Sequence, residues 1–513
     1  MLPCSCDTTR RSETENHLLS EERTPFFETT FNRSVKLRAR DQRLSSDGGV
    51  LLLREAEDRL GLIDSLASQL VDPRRPDRIR YHLDELLRER IFSHALGYAV
   101  EDEVDLLAHD PAMRIATWNR PGATVLEERG ASQPTQSRLT QILSGDKRNL
   151  EALRAALPDG VERHLRASGQ NRAVQRGTLD VDSFPVTVYG SQEGAVYNAY
   201  YREKIYHPIV AAFAPDGDYD SRRLGDGFVH AVLRAGNVNT ARGAVRFIRQ
   251  AVKRAAGLAK TIDVRIDAGY TVGSILDALS DDGTRFVGRL KTNPTLQRRA
   301  LQHLFRPVGR PPKEGYEKVV DLGHYQAKSW KHQQRVVLVV VDRPDPKTGQ
   351  LEFFPRYFFL VTNWKPSERS PAELLAHYRR RGTFEDRLGE LSQAISPRLS
   401  SPRFRENEVN LLISLLGHNF VSILRGELES ESAGGWDLGR VQRTVLKTAI
   451  RVTKAGRRLI VDVALAAVPL WNRLIERMSK WRLPDRCSKP RGPRRRNWMP
   501  PPPHAFLSSV LRQ

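Results

Sequence analysis

The strongest constraint on the fold is a change in the spacing of apolar residues near residue 170. Before that point, apolar residues recur every three or four positions, which predicts amphipathic helices. After it, short β-branched runs bounded by Gly, Pro and Asp predict strands at 178–183, 184–190, 207–214, 261–270 and 284–291. Helical patterns at 243–260 and 272–283 lie between the later strands. The order β-β-β-α-β-α-β is typical of an α/β fold with a mixed sheet flanked by helices.

Composition and pattern also divide the chain into segments. We predict a disordered polar tail at 1–34, a helical N-terminal region at 35–170, and an α/β domain in two parts, at 171–300 and 366–430. A β-rich insertion at 301–365 separates the two parts. A helical C-terminal region at 431–480 leads into a basic, proline-rich tail at 481–513.

The charge of the chain indicates a polyanionic partner. Its 513 residues carry 82 Lys and Arg against 61 Asp and Glu, a formal net charge of +21. Each phosphate that is neutralised by such a surface releases counterions, so nucleic acid is favoured over a basic surface without a partner. Cys4, Cys6 and Cys487 are too few for a disulfide framework or a four-cysteine zinc site. With no apolar signal segment at the N-terminus, we expect a cytoplasmic protein without a membrane anchor.

Two predicted strands each end with a carboxylate. Side chains alternate along a strand, so Asp180 and Asp182 share one face while Val181 points into the core. Asp263 and Asp267 likewise share a face of the segment TIDVRIDAGY. The ends of central strands are where α/β sheets place chemistry, which favours Asp182 and Asp267 as functional residues. The alternative is that each aspartate only closes a turn.

A third carboxylate lies on a predicted helix. Tyr378, Arg381, Glu385, Leu388 and Ser392 are spaced by three or four residues and would form one continuous stripe. The alternative is a solvated face with an ion pair between Arg381 and Glu385. If the stripe meets the strand ends, three carboxylates repel one another unless a cation neutralises them. Hard divalent cations do this, so we predict that Asp182, Asp267 and Glu385 bind Mg²⁺, with Mn²⁺ as a substitute.

Several blocks of the sequence resemble the DDE transposases of bacterial insertion sequences, in particular the insertion-sequence-1380 family. The blocks are LDVDS, YHPIVAAF, RIDAGY with RFVGRLKTNP, YRRRGTFEDRLGEL, and SPRFRENEVNLLISLLGHNF. The resemblance runs from about Leu44 to Arg473 and includes most of a Tyr-x2-Arg-x3-Glu-x6-Lys signature. The signature lysine is replaced by Ser392, a change that removes a cation from the predicted phosphate contacts.

The resemblance implies a ribonuclease-H-like catalytic domain and Mg²⁺-dependent cut-and-paste transposition at terminal inverted repeats. It assigns catalysis and metal binding to Asp182, Asp267 and Glu385, and DNA contacts to Tyr378 and Arg381. It also implies action on double-stranded DNA, both element ends and target, by a dimer or higher assembly in the bacterial nucleoid. The alternatives are a nuclease without strand transfer and a catalytically decayed DNA-binding repressor.

Two further residues are predicted to contact DNA. Arg138, near the start of a helix in the N-terminal region, is a candidate for end recognition, although that region could instead serve only in packing and dimerisation. Trp364, at the end of a predicted strand, is a candidate for stacking on an unpaired base, with simple burial as the alternative. The basic residues between Arg482 and Arg496 would add affinity that does not depend on sequence.

Overall fold

The computed structural model describes residues 27–37, 42–120, 122–169, 174–216, 224–306, 315–344, 354–428 and 435–482. Most of the predicted polar tail lies outside the described residues, as do Cys4, Cys6, Cys487 and nearly all of the predicted basic tail.

The strands of the described residues form four sheets, and the largest has eight strands in the order β12-β13-β14-β11-β10-β4-β8-β9. Numbered along the chain, the strands are β1 Phe27–Glu28, β2 Lys36–Leu37, β3 Arg43–Ser45, β4 Arg176–Ser183, β5 Val186–Thr187, β6 Val196–Asn198, β7 Glu203–Tyr206, β8 Ile209–Asp216, β9 Gly227–Val232, β10 Thr261–Ile266, β11 Phe286–Leu290, β12 Tyr316–Tyr325, β13 Gln334–Asp342, β14 Arg356–Thr362, β15 Ile450–Ala455 and β16 Arg458–Val463. β4 is parallel to β10, and β10 to β11, whereas β8 runs antiparallel to β4.

Helices cover both faces of this sheet. They are α1 Val50–Leu60, α2 Leu62–Gln69, α3 Leu83–Ala95, α4 Val104–Leu107, α5 Pro111–Thr117, α6 Gln133–Gly145, α7 Lys147–Ala167, α8 Ala244–Ala255, α9 Gly273–Asp281, α10 Pro294–Leu301, α11 Pro371–Arg379, α12 Gly382–Glu390, α13 Phe404–Leu428, α14 Leu438–Val441 and α15 Val468–Ser479. α8, α9 and α10 bury apolar side chains against one face, and α7 and α13 against the other. The predicted α/β fold, a mixed sheet flanked by helices, is confirmed and is consistent with a ribonuclease-H-like domain.

The strands predicted as a β-rich insertion extend the central sheet. β14 pairs antiparallel with β11, bringing Leu290 opposite Phe359, and β13 and β12 follow outward. β13 has the sequence QRVVLVVVD and is buried along nearly its whole length. An apolar run of this kind needs cover on both faces. Alternate residues of β13 belong to the apolar clusters on the two faces of the sheet, and those on one face pack with Leu374 and Leu375 of α11.

Short strands depart from the predicted pattern in two places. The predicted strand at 184–190 reduces to the two residues of β5, which joins β7 and β6 in a separate small sheet. The N-terminal region is not wholly helical, because β3 pairs with β15 from the C-terminal region. The register brings Ser45 opposite Ile450, so the two ends of the described chain share one sheet.

The helix α13 runs through the centre of the structure. Its 25 residues are long and apolar enough to cross a membrane by length and composition, yet the helix is buried inside the protein. It packs against α3, α7 and α6 of the N-terminal region. Asn419 of α13 also accepts a hydrogen bond from the Phe228 amide and donates one to its carbonyl, both at 2.9 Å, so the helix is joined to β9. The structure therefore assigns α13 the role of a core helix.

We expect the stability of the protein to depend on pH through Glu89, which lies on α3. Burial raises the pKa of this carboxyl from 4.5 to about 8, although Gln136 donates a hydrogen bond to it at 2.8 Å. The folded protein thus keeps a proton that the unfolded chain releases near pH 4.5, so the free energy of unfolding falls as the pH rises between those values. Glu89→Gln should remove this contribution to the pH dependence, about 5 kcal/mol over the whole interval at about 1.4 kcal/mol per pKa unit. Urea denaturation at a series of pH values measures it, and equal slopes in the two proteins would contradict the assignment.

Candidate active site

Asp182 and Asp267 lie side by side at one edge of the central sheet. β4 and β10 are parallel neighbours in which Val181 is paired with Ile266, and each aspartate is the next residue along its strand. The Ser183 amide donates to Asp182 Oδ1 and the Gly269 amide to Asp267 Oδ1, both at 2.8 Å. The backbone therefore fixes one oxygen of each carboxylate and leaves the other for a different partner.

The pair is not fully neutralised by the protein. Burial, together with the charge of Asp267, raises the pKa of Asp182 from 3.8 to about 6 against the opposing effect of Arg381. Two carboxylates that repel each other at the edge of a sheet are the arrangement that a hard divalent cation stabilises.

Arg381 connects the strands to the helical carboxylate. Its buried guanidinium forms an ion pair with Asp182 through Nη2, and its Nε lies 3.8 Å from Glu385 Oε1. Burial lowers the pKa of Arg381, but Asp182 and the other nearby aspartates raise it by more, so the side chain stays charged. The Glu385 side chain is 67% exposed and lies at the rim. The structure thus brings Asp182, Asp267 and Arg381 together. Glu385 lies next to this group, on the far side of Arg381.

The stripe that was predicted to lie on one helix is divided between two. α11 ends at Arg379, the Arg381 amide bonds the Tyr378 carbonyl at 2.9 Å, and α12 begins at Gly382. The prediction of a continuous helix is therefore wrong. Glycine is a poor helix former, and the break accompanies the approach of Arg381 to Asp182. Ser392 lies in a π-helical turn, Leu391–Ile395, and is exposed.

Tyr378 nevertheless lies in the electrostatic environment of the site. Its side chain is half-buried, and burial raises the pKa of its phenol, with further contributions from Asp267 and Glu385. Its contact with DNA stays a prediction.

A buried ion pair forms the floor beneath these residues. Arg265 donates from Nε and Nη2 to the two oxygens of Asp180, each at 2.6 Å. Its third nitrogen, Nη1, donates to the His377 carbonyl of α11 at 2.5 Å. Arg265 therefore ties β4, β10 and α11 together, which fixes the helix break at Arg381 over the strand ends.

Three residues beside the carboxylates were missed by the sequence reading. Tyr270 is buried, and burial raises the pKa of its phenol in the field of Asp182. Arg234 donates to the carbonyls of His207 and Thr240, both at 3.0 Å, and also lies in the field of Asp182. Tyr201 is half-buried, and burial followed by the charge of Asp182 raises the pKa of its phenol. The one signal available was Tyr270, which closes the same RIDAGY block that contains Asp267.

A second cluster of potential ligands lies at the opposite end of the central strands. One oxygen each from Asp216 and Asp263 and one ring nitrogen of His377 lie within 4.8 Å of one another, close enough to bind a metal ion. Arg176 donates to Asp263 at 2.9 Å, and Arg369 lies 3.6 Å from the same carboxylate. Burial lowers the pKa of His377 to about 2, so the imidazole is neutral. Two arginines thus offset the charge of the two aspartates, although burial raises the pKa of Asp263 to about 6. The sequence did not predict this cluster.

Trp364 and Arg138, the two further residues predicted to contact DNA, lie in different environments. Trp364 is only 2% exposed and packs between Arg369, 4.3 Å from the ring centre, and the imidazole of His377. The prediction that it stacks on a base is wrong, because the short strand-end segment folds back against α11 and buries the ring. Arg138 is exposed on α6, and its role in end recognition stays a prediction.

A comparison with protein-family models decides the family. The model described as "Transposase DDE domain group 1" matches residues 27–481. The chain belongs to this DDE transposase family. Membership of the insertion-sequence-1380 family and a bacterial origin stay predictions.

Other comparisons add context to the family assignment. A search of curated proteins found no match. Among solved structures, the chain is similar to piggyBac transposase in a synaptic complex with hairpin DNA. The identity is 11% and the TM-score 0.37, over 78% of this chain and 79% of that one.

Proposed function

We propose that the protein cuts DNA at the ends of a mobile element and joins the freed 3′-hydroxyl to target DNA. The observation that carries the proposal is the pairing of Asp182 with Asp267 at adjacent strand ends beside a buried Arg381, in a member of a DDE transposase family. The chain has 82 Lys and Arg against 61 Asp and Glu, and this excess of positive charge supports DNA as the partner. Pairing of two element ends would require a dimer or higher assembly.

The residues present fit a divalent metal. Carboxylate oxygens are the ligands that Mg²⁺ prefers, and Asp182 and Asp267 follow the paired residues Val181 and Ile266 of adjacent parallel strands. Asp182 and Asp267 would hold the metal, with Glu385 completing the set, and Mn²⁺ would substitute. When bound, Mg²⁺ supplies activation of the attacking oxygen and stabilisation of the leaving oxygen in phosphodiester cleavage.

The chain's own groups position the substrate around the carboxylates. Arg381 is charged, buried and within reach of both Asp182 and Glu385, so it would neutralise a scissile phosphate that enters beside them. Tyr378, at the end of α11, would contact the DNA end next to it. The rigid floor of Arg265 and Asp180 would keep these groups in register during cleavage.

The test uses a duplex that carries one candidate element end, identified by searching the DNA on either side of the gene for short inverted repeats. Cleavage is followed with Mg²⁺, with chelator, and with the variants Glu385→Gln and Asp386→Asn. Asp386 is the exposed acidic neighbour of Glu385 and serves as the matched control. We expect Mg²⁺-dependent cleavage at the repeat boundary that is lost in Glu385→Gln and kept in Asp386→Asn.

The products and the bound fraction separate the alternatives. Cleavage without joining to a target plasmid would indicate a nuclease without strand transfer. Binding without cleavage by the wild-type protein would contradict the enzymatic proposal and favour a DNA-binding repressor.

A further inference from the structure

A turn beside the carboxylates presents tyrosines to solvent. The small sheet of β5, β7 and β6 carries Tyr189, Tyr197 and Tyr200 with exposed fractions of 88%, 62% and 86%. Tyr200 lies in the turn between β6 and β7, where its exposed ring is open to a ligand. Tyr201, the next residue after Tyr200, packs its ring 5.9 Å from the imidazole of His207, two residues before Ile209, which pairs with Ser183 next to Asp182. The chain therefore places an exposed ring directly beside one at the active site.

The turn that holds these rings is pre-formed. Asn198 Oδ1 accepts from the amides of Tyr200 and Tyr201, at 3.0 and 3.4 Å, and the Asn198 side chain donates to the Gly236 carbonyl at 2.7 Å. The Arg202 amide closes the turn on the Asn198 carbonyl at 2.8 Å, with Arg202 in the left-handed region at φ 59°. The two tyrosine rings stand nearly perpendicular, at 87°, with their centres 5.0 Å apart. The backbone of the turn therefore loses little further conformational entropy when a ligand packs on Tyr200.

We propose that Tyr200 stacks on an unpaired base of the DNA end, next to the phosphate that enters beside Asp182 and Arg381. The step from Tyr201 to Tyr200 leads from the carboxylates to solvent, as the chain of a nucleotide leads from phosphate to base. Arg202, exposed at the tip of the same turn, offers a cation to the adjacent backbone. A base within a duplex has both faces covered by its neighbours, so a free ring face selects an unpaired base. This inference rests on the proposed cleavage of DNA ends, and it replaces Trp364 as the stacking residue.

The test measures binding in chelator, so that no cleavage occurs, by fluorescence anisotropy. Two labelled probes are compared: a fully paired duplex and the same duplex with unpaired thymines at one end. The variants are Tyr200→Ala, Tyr200→Phe, which keeps the ring, and Leu465→Ala, which removes an equally exposed apolar side chain just after β16 in a different sheet. We expect Tyr200→Ala to weaken binding of the forked probe about 5- to 100-fold, with no change for the paired duplex. Tyr200→Phe and Leu465→Ala should bind both probes as the wild type does.

Each other outcome has a separate meaning. Equal affinities for the forked probe in wild type and Tyr200→Ala, or equal losses with both probes, would overturn the stacking role while leaving DNA cleavage intact. If the wild type bound neither probe and cut no DNA, the proposed function itself would fail. If light scattering showed that Tyr200→Ala dissociates an oligomer without a selective loss of forked DNA, the tyrosines would be an interface between copies and the inference would be wrong.

Discussion

Replacement of Asp182 by asparagine is expected to lower the rate of Mg²⁺-dependent cleavage by about 10³-fold or more. Asp182 is the carboxylate that faces both Asp267 and Arg381, so its loss removes a metal ligand and leaves Arg381 without its ion-pair partner. The expected loss corresponds to several kcal/mol of transition-state stabilisation, because about 1.4 kcal/mol changes the rate tenfold. DNA binding in chelator should change little, because phosphate contacts elsewhere dominate affinity. Single-turnover cleavage of an end duplex and anisotropy measure the two quantities.

Asp216→Asn is the matched comparison for Asp182→Asn. Asp216 belongs to the second cluster of potential metal ligands, at the far end of the strands, and accepts a hydrogen bond from Thr178 at 2.8 Å. We expect Asp216→Asn to keep the wild-type dependence of cleavage on Mg²⁺. The opposite result, in which a folded Asp216→Asn protein loses metal-dependent cleavage and Asp182→Asn keeps it, would contradict the assignment of the metal to Asp182. The metal site would then lie at the end of the sheet that contains Asp216.

The second large effect is on stability, in the floor of the site. Asp180→Asn should lower the free energy of unfolding by about 3–5 kcal/mol, because it leaves the buried guanidinium of Arg265 without its counter-charge. The geometry of the pair, with two bonds of 2.6 Å, makes it the kind whose disruption is most destabilising. Urea denaturation monitored by circular dichroism measures the change.

An exposed ion pair of the same chemistry provides the control. Arg451 and Asp462 are paired at 3.0 Å across β15 and β16, and both side chains are about half exposed. Asp462→Asn should change the free energy of unfolding by about 0–1 kcal/mol. Similar small effects for both variants would show that the Asp180 carboxylate is not needed to compensate Arg265, and the floor would lose its structural role.

The sequence predicted the parts of the site that follow from strand periodicity. Alternation in LDVDS and TIDVRIDAGY placed Asp182 and Asp267 at the ends of two strands, and the structure makes those strands parallel neighbours. These features are local to each strand, so a single sequence contains them. The structure also brings Asp180 opposite Arg265 across these two strands, where they form an ion pair.

The features that escaped prediction depend on tertiary contacts. The break between α11 and α12 depends on what Arg381 meets, and helical spacing alone is equally compatible with a straight helix. Burial of Trp364 requires Arg369 and His377 to close over it. The placement of β12 to β14 within the main sheet depends on pairing of β14 with β11, far apart in sequence. The exposure of Tyr200 could not be predicted from the sequence, because aromatic residues are also common in buried strands.

The most direct test of the account is a metal-specificity switch at the paired aspartates. Asp182→Cys and Asp267→Cys exchange a carboxylate for a thiolate, which binds Mg²⁺ poorly and softer divalent cations well. We expect both variants to lose cleavage of an end duplex with Mg²⁺ and to regain it with Mn²⁺ or Cd²⁺. Asp216→Cys should keep cleavage with Mg²⁺. Full activity of Asp182→Cys with Mg²⁺, or a switch in Asp216→Cys alone, would contradict the assignment of the metal to Asp182 and Asp267.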